Sequence, residues 1–239
     1  MAIDAAMLDR SASAGSAFLR LYRWEPYCLS FGRHEPATRR YDRARIREAG
    51  LDCVRRPTGG RAVWHARELT YAVAAPLAAF GGLRQAYGAV HGMLAAALRA
   101  IGARPTLAGA HPRAVGPGEG PCFASPVGGE VLIDGKKVVG SAQLRQGDAF
   151  LQHGSLLLED DQSLVRSLAG LPDEGSQDAP LSRLLGRRIE FEEAAAAIAQ
   201  CADLVLGPMT RPEAVPAIIL AGAQGHAERF RSEAWTWQR

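Results

Sequence analysis

The sequence predicts an α+β domain, in which a mixed or antiparallel β-sheet is flanked by helices and followed by a helical C-terminal tail. Strand patterns and short helices alternate up to residue 160, and only helical patterns follow. That order is typical of α+β and mixed sheet domains and argues against a doubly wound nucleotide-binding fold. Two hairpin signals, at Asp134-Gly135 and at 146–148, join consecutive strands directly, as antiparallel sheets require.

The first third of the chain predicts four short strands and one charged helix. Apolar and β-branched runs bounded by proline or turn residues mark the strands, and Gly50 marks the end of the helix. The strands are predicted at 17–24, 27–31, 53–56 and 68–74, and the helix at 41–49.

The clearest helix is predicted at 83–101. Its apolar residues lie three or four positions apart, which makes one stripe on a helix of 3.6 residues per turn. The stripe consists of Leu83, Tyr87, Val90, Leu94, Leu98 and Ile101. Gly102 predicts the end of this helix, and His91 within it is expected to be structural or exposed.

Residues 103–128 are rich in proline and glycine and predict a long loop, of a length usual for functional loops. One hairpin then joins strands at 130–133 and 136–141, and a second continues to residue 158. In a single strand over 136–141, Lys137, Val139 and Ser141 share one face. Further helices are predicted at 162–169, 181–185, 190–206 and 215–231.

The composition and charge of the chain argue against nucleic acid binding and against a membrane protein. The chain has 239 residues, of which 47% are hydrophobic and 22% charged, with a formal net charge of +3. Scattered arginines without interleaved aromatic residues argue against nucleic acid binding, and the mild positive charge fits an acidic protein partner. No apolar run reaches the roughly 18 residues of a membrane span, and the N-terminus lacks a signal-peptide pattern. We therefore expect no membrane association and a cytoplasmic location.

Three segments are candidates for ligand binding. At 55–65 a strand delivers two arginines into a Pro-Thr-Gly-Gly turn, which matches neither the P-loop nor the Rossmann pattern. Its glycines let ligand oxygens approach the backbone, although a surface turn beside solvated arginines has the same pattern. Small residues at 140–142 let a ligand or another element lie against the sheet. At 151–156, His153 and Gly154 either close a site or end a strand.

A thiol and a lysine form a candidate catalytic pair. Cys122 follows a stretch of glycine and proline, and Lys137 comes after it on a predicted strand. A neighbouring ammonium favours the thiolate, which is the nucleophilic form of cysteine. The alternative is a small buried hydrophobe, which is also the expectation for Cys28, Cys53 and Cys201. The wide spacing of the four cysteines predicts neither a disulfide framework nor a metal site.

In this order, the segments resemble the biotin/lipoate ligase superfamily, which includes ligases and lipoyl-pathway acyltransferases. The likeness is carried by 55–65 with 68–71, by 135–143 and by 151–155, and the start resembles the family's first helix. It covers roughly residues 1–205. The resemblance implies a class II biotin/lipoate-ligase-like catalytic domain over 1–205, with 206–239 as a helical extension packed on or beside it.

Within that superfamily the sequence is similar to the LipM-type octanoyltransferase branch. Ligases tend to carry a third glycine where Arg61 stands, and many need an accessory domain. The branch's acyl-thioester cysteine matches Cys122 and its lysine matches Lys137, so the resemblance implies that these two residues are catalytic. The implied substrate-binding residues are Arg56, Thr58, Gly59, Gly60, Arg61, Ala62, His65, Gly140, Ser141, Ala142, Gln143, His153 and Gly154.

The implied reaction moves an octanoyl group from acyl carrier protein, through a thioester on Cys122, to a lysine of a lipoyl domain or of glycine-cleavage H protein, without a cofactor. Three alternatives remain open: an ATP-dependent lipoate ligase, a lipoyl or octanoyl amidotransferase, and a non-catalytic binder of lipoyl domains. The sequence also departs from the family pattern. Residues 124–129 differ from it, which leaves the acyl donor open, and a strand expected before the first helix is missing.

Overall fold

The computed structural model describes residues 1–109, 129–160, 162–171, 179–210 and 214–238. In chain order its elements are α1 (Ala2–Ala14), β1 (Phe18–Tyr22), β2 (Cys28–Phe31), α2 (Ala37–Arg40), α3 (Arg43–Glu48), β3 (Asp52–Arg55), β4 (Val63–His65), β5 (Glu68–Pro76), a 3₁₀ turn (Leu77–Ala79), α4 (Leu83–Ala100), β6 (Pro105–Leu107), β7 (Val131–Ile133), β8 (Lys136–Lys137), β9 (Val139–Gln146), β10 (Ala149–Leu157), α5 (Ser163–Leu168), α6 (Leu181–Leu185), α7 (Phe191–Leu206), α8 (Ala217–Arg231) and α9 (Glu233–Thr236).

The central sheet has the strand order β1-β5-β10-β9, and every neighbouring pair is antiparallel. Helices cover both of its faces, so β5 is buried almost throughout. Alternate β5 residues divide between two cores. Leu69, Tyr71 and Val73 pack toward α4 and α7, whereas Ala72 and Ala74 pack toward α1 and α8. The predicted α+β fold with an antiparallel sheet is confirmed.

Two smaller sheets flank the central one. In the first, with the order β3-β2-β4, β2 is parallel to β3 and antiparallel to β4. The second has the order β6-β7-β8 and is antiparallel. Strand β6 lies inside the stretch predicted as a loop over 103–128, so that prediction is wrong at 105–107, while 110–128 lie outside the described residues.

The predicted single strand over 136–141 is wrong, because the chain changes sheets at Val138. Lys137 pairs with Leu132 in the small sheet, whereas Val139 pairs with Leu156 in the central sheet. At the crossing, the carbonyl oxygen of Val138 accepts from the amide of Leu157 at 3.0 Å. Residues 137–140 are consecutively buried, so simple alternation does not assign their faces.

The helices after residue 160 follow the prediction closely, and α4 confirms the apolar stripe. Gly102 has φ 93°, a conformation that favours glycine, and it ends this helix. Within the described parts of the chain, no helix is long and apolar enough to cross a membrane.

The C-terminal helices pack on the rest of the molecule. Helix α8 lies against α1, and α9 lies against β3. The guanidinium of Arg55 on β3 is fully buried and donates to main-chain carbonyls of two segments. They belong to Trp235 (3.1 Å), Thr236 (3.0 Å) and Gln238 (2.8 Å) on one side, and to Gly32 (2.7 Å), Arg33 (3.2 Å) and Glu35 (2.9 Å) on the other. We call this arrangement the Arg55 clasp.

Candidate active site

A cleft opens where the turn after β3 meets the middle of β9 and β10. Its lining consists of Met1, Tyr22, Arg56, Val63, His65, Thr70, Gly140, Ser141, Ala142, His153, Gly154 and Ser155, which enclose about 360 Å³ including the open mouth. The three segments singled out in the sequence therefore meet at one place. Of the residues expected to bind substrate, the lining includes Arg56, His65, Gly140, Ser141, Ala142, His153 and Gly154.

Arg56 braces the turn from within. Its Nη1 donates to the carbonyl oxygen (2.9 Å) and to the hydroxyl (2.6 Å) of Ser30. Its Nη2 donates to the carbonyl oxygens of Gly59 (3.1 Å) and Arg61 (2.7 Å). The guanidinium thus fixes the turn's shape as well as forming part of the cleft wall.

The turn also lies directly against the chain after β2. A Cβ added to Gly32 would lie 1.9 Å from the carbonyl oxygen of Gly60, and the amide of Arg33 donates to the carbonyl oxygen of Thr58 at 2.8 Å. This close approach explains why Gly32 has no side chain. The other residues expected to bind substrate do not line the cleft; they are Thr58, Gly59, Gly60, Arg61, Ala62 and Gln143.

His65 is held by a chain of directed hydrogen bonds. The Glu68 carboxylate only accepts, so His65 Nδ1 carries a proton and donates to Glu68 Oε1 at 3.2 Å. Nε2 of the neutral ring then accepts from the Ser30 hydroxyl at 2.6 Å, and that hydroxyl oxygen accepts from Arg56. Burial lowers the pKa of His65 despite that carboxylate. Both ring nitrogens are occupied, so His65 shapes the cleft as a neutral ring.

Glu68 collects donors from three sides of the cleft. Besides His65, Thr70 Oγ1 donates to Glu68 Oε1 at 2.5 Å, and Ser155 Oγ donates to Glu68 Oε2 at 2.5 Å. Trp24 Nε1 donates to Thr70 Oγ1 at 2.8 Å, and its ring stacks on His65 at 4.5 Å. These contacts satisfy a carboxylate that is buried beneath the cleft.

His153 lies between α1 and the turn. Its Nε2 is 3.1 Å from Asp4 Oδ2 but is not aligned for a hydrogen bond, and its Nδ1 is 3.4 Å from Thr58 Oγ1. Burial lowers the pKa of His153, so the ring is neutral. Burial raises the pKa of Asp4, but the Met1 amino group and the Arg20 guanidinium outweigh it and hold that pKa well below its usual range.

A second polar chain lies behind Ser141. Its Oγ is 2.6 Å from the Tyr71 hydroxyl and 2.8 Å from His91 Nε2, and His91 Nδ1 is 2.6 Å from the carbonyl oxygen of Gly129. Gln152 Nε2 donates to the Tyr71 hydroxyl at 3.0 Å, and Gln143 Nε2 donates to Gln152 Oε1 at 3.0 Å. Gln143 therefore supports the strand pair from behind the cleft.

Lys137 is buried beside a carboxylate. Its Nζ donates to Glu130 Oε1 at 2.6 Å, and both side chains are at most 4% exposed. Cys122, the expected nucleophile, lies outside the described residues, so the predicted pairing with Lys137 stays a prediction.

Several cleft residues were not named individually from the sequence, although Val63, Glu68, Thr70 and Ser155 lie inside the segments that it singled out. Tyr22, Val63, Thr70 and Ser155 line the cleft, and Asp4 and Glu68 lie behind it. The sequence feature that could have indicated them is a polar residue within an apolar run, as at Asp4 between Ile3 and Ala5. Where the element that carries such a residue is buried, the polar side chain needs hydrogen-bond partners from other elements.

Comparison with known proteins identifies the family. The model of the lipoyl protein ligase A/B catalytic domain matches residues 1–202. Octanoyltransferase LipM from Kyrpidia tusciae is 33% identical over 258 residues, covering 100% of this chain and 94% of the relative. Octanoyltransferase LipM from Moorella thermoacetica is 34% identical, covering 98% of this chain and 89% of the relative.

Solved structures of low sequence identity show the same fold. A lipoate-protein ligase A bound with ATP has a TM-score of 0.82 at 18% identity, covering 99% of this chain and 92% of the other. Protein Ta0514 from T. acidophilum has a TM-score of 0.80 at 18% identity, covering 100% of this chain and 92% of the other. With full-length relatives above 30% identity, the chain belongs to the lipoyl protein ligase A/B catalytic domain family, in its LipM-like branch.

Proposed function

We propose that the protein is an octanoyltransferase of protein lipoylation, which carries the octanoyl group on Cys122 between acyl carrier protein and a lysine of a lipoyl domain. The observation that carries this proposal is the full-length similarity to octanoyltransferases, at 33% and 34% identity. The cleft supports it, because Arg56 and His65, which flank the glycine turn, meet the small residues of β9 there.

The three cysteines that the structure describes are poor candidates for the nucleophile. Burial raises the pKa of Cys53 to about 12 and raises that of Cys28 well above its usual range. A thiolate is the reactive form, so neither thiol ionises readily. Cys201 lies on α7 and does not line the cleft.

In the first half-reaction, the Cys122 thiolate attacks the carbonyl carbon of the donor thioester. A new C–S bond forms to Cys122, the donor C–S bond breaks, and the carrier leaves as a thiolate, which takes a proton from solvent. Lys137 is the proposed cation that favours the thiolate. Its contact with Glu130 fixes the ammonium in the fold at 2.6 Å.

In the second half-reaction, the lysine amine of the lipoyl domain attacks the thioester carbonyl of the acyl-enzyme. An amide bond forms, the amine nitrogen loses a proton to solvent, the C–S bond to Cys122 breaks, and Cys122 returns as the thiolate. Such an exchange is a two-step transfer through a covalent intermediate. Glycine-cleavage H protein is the second proposed acceptor.

The test follows the covalent intermediate by intact-protein mass spectrometry. Incubation with octanoyl-acyl carrier protein is expected to add one octanoyl group to the wild-type chain and none to Cys122→Ala. Cys201→Ala is the matched control, and it is expected to form the adduct normally. Full transferase activity in Cys122→Ala would overturn the thioester route.

The ATP-dependent ligase is the main alternative, because a fold relative is a ligase bound with ATP. Incubation of the protein with ATP, lipoate and a lipoyl domain, without any acyl carrier thioester, separates the two activities. We expect no modified lipoyl domain under these conditions. Lipoylation there would favour the ligase.

A further inference from the structure

We propose that the exposed arginines of α2 and α3 form a docking surface for an acidic face of the acyl carrier protein that donates the octanoyl group. This inference rests on the proposed function and assigns a place to its donor. The surface consists of Arg39 on α2 and of Arg43, Arg45 and Arg47 on α3, all of which are exposed. We call it the arginine surface.

The excess positive charge of the chain lies in the segment that carries this surface. Residues 33–48 contain six arginines and three acidic residues, which give a formal charge of +3. The whole chain also has a formal net charge of +3, so the charges of all the other residues sum to zero. The charge that favours an acidic protein partner therefore comes from one short stretch of the chain.

The acidic residues of this segment neutralise little of the arginine surface. Glu35 is buried, and its carboxylate accepts from Arg40 and from the Tyr41 hydroxyl, each at 3.2 Å. Asp42 accepts from two main-chain amides at the start of α3. Only Glu48, at the end of α3, adds an exposed carboxylate that has no such task.

The ion pairs of the surface leave part of its charge uncompensated. Arg43 pairs with Glu233 of α9 at 2.5 Å, and the charge of Arg47 acts on the same carboxylate. Arg39 and Arg45 are exposed, and neither forms an ion pair with any residue that the structure describes. Exposed guanidinium groups of this kind can form paired hydrogen bonds with the carboxylates of a partner protein.

The positive charge continues from this segment toward the turn beside the cleft. Arg33 begins the segment, and its amide donates to the carbonyl oxygen of Thr58 in that turn at 2.8 Å. Burial lowers the pKa of Arg229 on α8, and the charge of Arg33 lowers it further. Like charges held this close destabilise the free protein, and an acidic partner relieves their repulsion.

Packing fixes the arginine surface to the wall of the cleft. Ala37 of α2 and Ile46 of α3 are buried in one core cluster with β2 and with Ala62. Ala62 directly precedes Val63, which lines the cleft. A protein bound to the arginine surface is therefore held at a fixed position relative to the cleft.

The donor suits this surface better than the acceptor. The acyl group of an acyl carrier protein is carried on an arm that is joined to the protein through a phosphodiester. That group adds a negative charge where the carrier meets the enzyme, and arginine binds phosphate through paired hydrogen bonds. A lipoyl domain instead presents a lysine, whose positive charge makes a surface of arginines unfavourable.

The experiment compares two triple variants that remove the same charge. One carries Arg39→Gln, Arg45→Gln and Arg47→Gln; the matched control carries Arg10→Gln, Arg104→Gln and Arg145→Gln, at exposed positions on other parts of the chain. The rate of octanoyl loading onto the protein is measured by mass spectrometry at low and at high salt. The donors are octanoyl-acyl carrier protein and octanoyl-pantetheine, which has neither a protein nor a phosphate.

We expect kcat/KM for loading from the carrier protein to fall about tenfold at low salt in the surface variant, because charges of this kind steer association. The difference should vanish near 1 M salt, where the Debye length is only about 3 Å. Loading from octanoyl-pantetheine and transfer of a loaded octanoyl group to a lipoyl domain should stay as in wild type. The control variant should match wild type throughout.

Several results would overturn the proposal. Loading from the carrier protein at the wild-type rate in the surface variant does so, as does an equal loss in the control variant. A loss shared by octanoyl-pantetheine and kept at high salt would place the defect in the cleft. A loss confined to transfer would assign the surface to the lipoyl domain. A wild-type chain that forms no octanoyl adduct from either donor would contradict the proposed function itself.

Discussion

At the scale of single residues, the missing side chain of Gly154 lets Tyr71 contact Ser141 across β10. It lies on β10 between Tyr71 of β5 and Ser141 of β9. A Cβ on Gly154 would lie 2.1 Å from Tyr71 Cε1. Tyr71 therefore reaches across β10 to Ser141 only because residue 154 has no side chain.

Gly154→Ala is expected to destabilise the protein, because the added methyl group displaces the Tyr71 ring in a close-packed core. The free energy of unfolding should fall by about 1–3 kcal/mol, measured by urea denaturation. The control is Gly92→Ala on α4, where an added Cβ meets nothing within 4 Å. That change should stabilise the helix by roughly 0.5–1 kcal/mol. Equal stability of the two variants would contradict the packing argument.

The sequence singled out the segments that supply Arg56, His65, His153 and the small residues of β9 to the cleft, because a turn and a short motif are local signals. It did not predict Asp4 and Glu68 as part of the site. A lone carboxylate on an apolar element is normally exposed, and its burial here depends on donors from other strands. Arg20 and Tyr22 on β1 supply those of Asp4, and Ser155 on β10 supplies one to Glu68.

At the scale of elements, the periodicity and the turn residues of the sequence predicted the helices and hairpins. They did not predict that the chain changes sheets at Val138. A strand pattern records which residues are extended but not which neighbour they pair with. The predicted division of the chain at residue 205 also stays a prediction. The packing of α8 on α1 and the Arg55 clasp tie the segment after it to the catalytic part.

Arg55→Gln is expected to lower the free energy of unfolding by about 3 kcal/mol or more, because buried carbonyls of two segments lose their donors. Octanoyl loading should also slow, since Gly32 and Arg33 support the turn of the cleft. Urea denaturation measures the free energy of unfolding, and the rate of adduct formation measures octanoyl loading. Arg145→Gln, which removes exposed contacts with Gly147 and Asp148 in the turn between β9 and β10, should leave both unchanged. A wild-type unfolding midpoint in Arg55→Gln would argue against the clasp.

At the scale of the whole molecule, the buried histidines link stability to pH. Burial lowers the pKa of His65, His91 and His153, that of His91 to about 4. In the unfolded chain each returns to about 6.5. As pH falls below about 6.5 the unfolded state therefore binds more protons than the folded state, and stability is lost.

The free energy of unfolding is expected to fall between pH 7 and pH 5, by up to about 1.4 kcal/mol per pH unit for each histidine below its unfolded pKa. Urea titrations at several pH values measure this slope. His91→Gln should make it shallower, whereas His34→Gln, at an exposed position, should leave it as in wild type. A stability independent of pH in this window would contradict the neutral, buried state of the three rings.

The Arg55 clasp also cannot form until late in the synthesis of the chain. Arg55 and Trp235 are separated by 180 positions, and synthesis at 5–20 residues per second places roughly 10 to 35 seconds between them. During that interval the guanidinium of Arg55 lacks the carbonyl oxygens of Trp235, Thr236 and Gln238. The central sheet can form before synthesis ends. The hydrogen bonds between Arg55 and residues 235–238, which help to hold the turn of the cleft, can form only after those residues have left the ribosome.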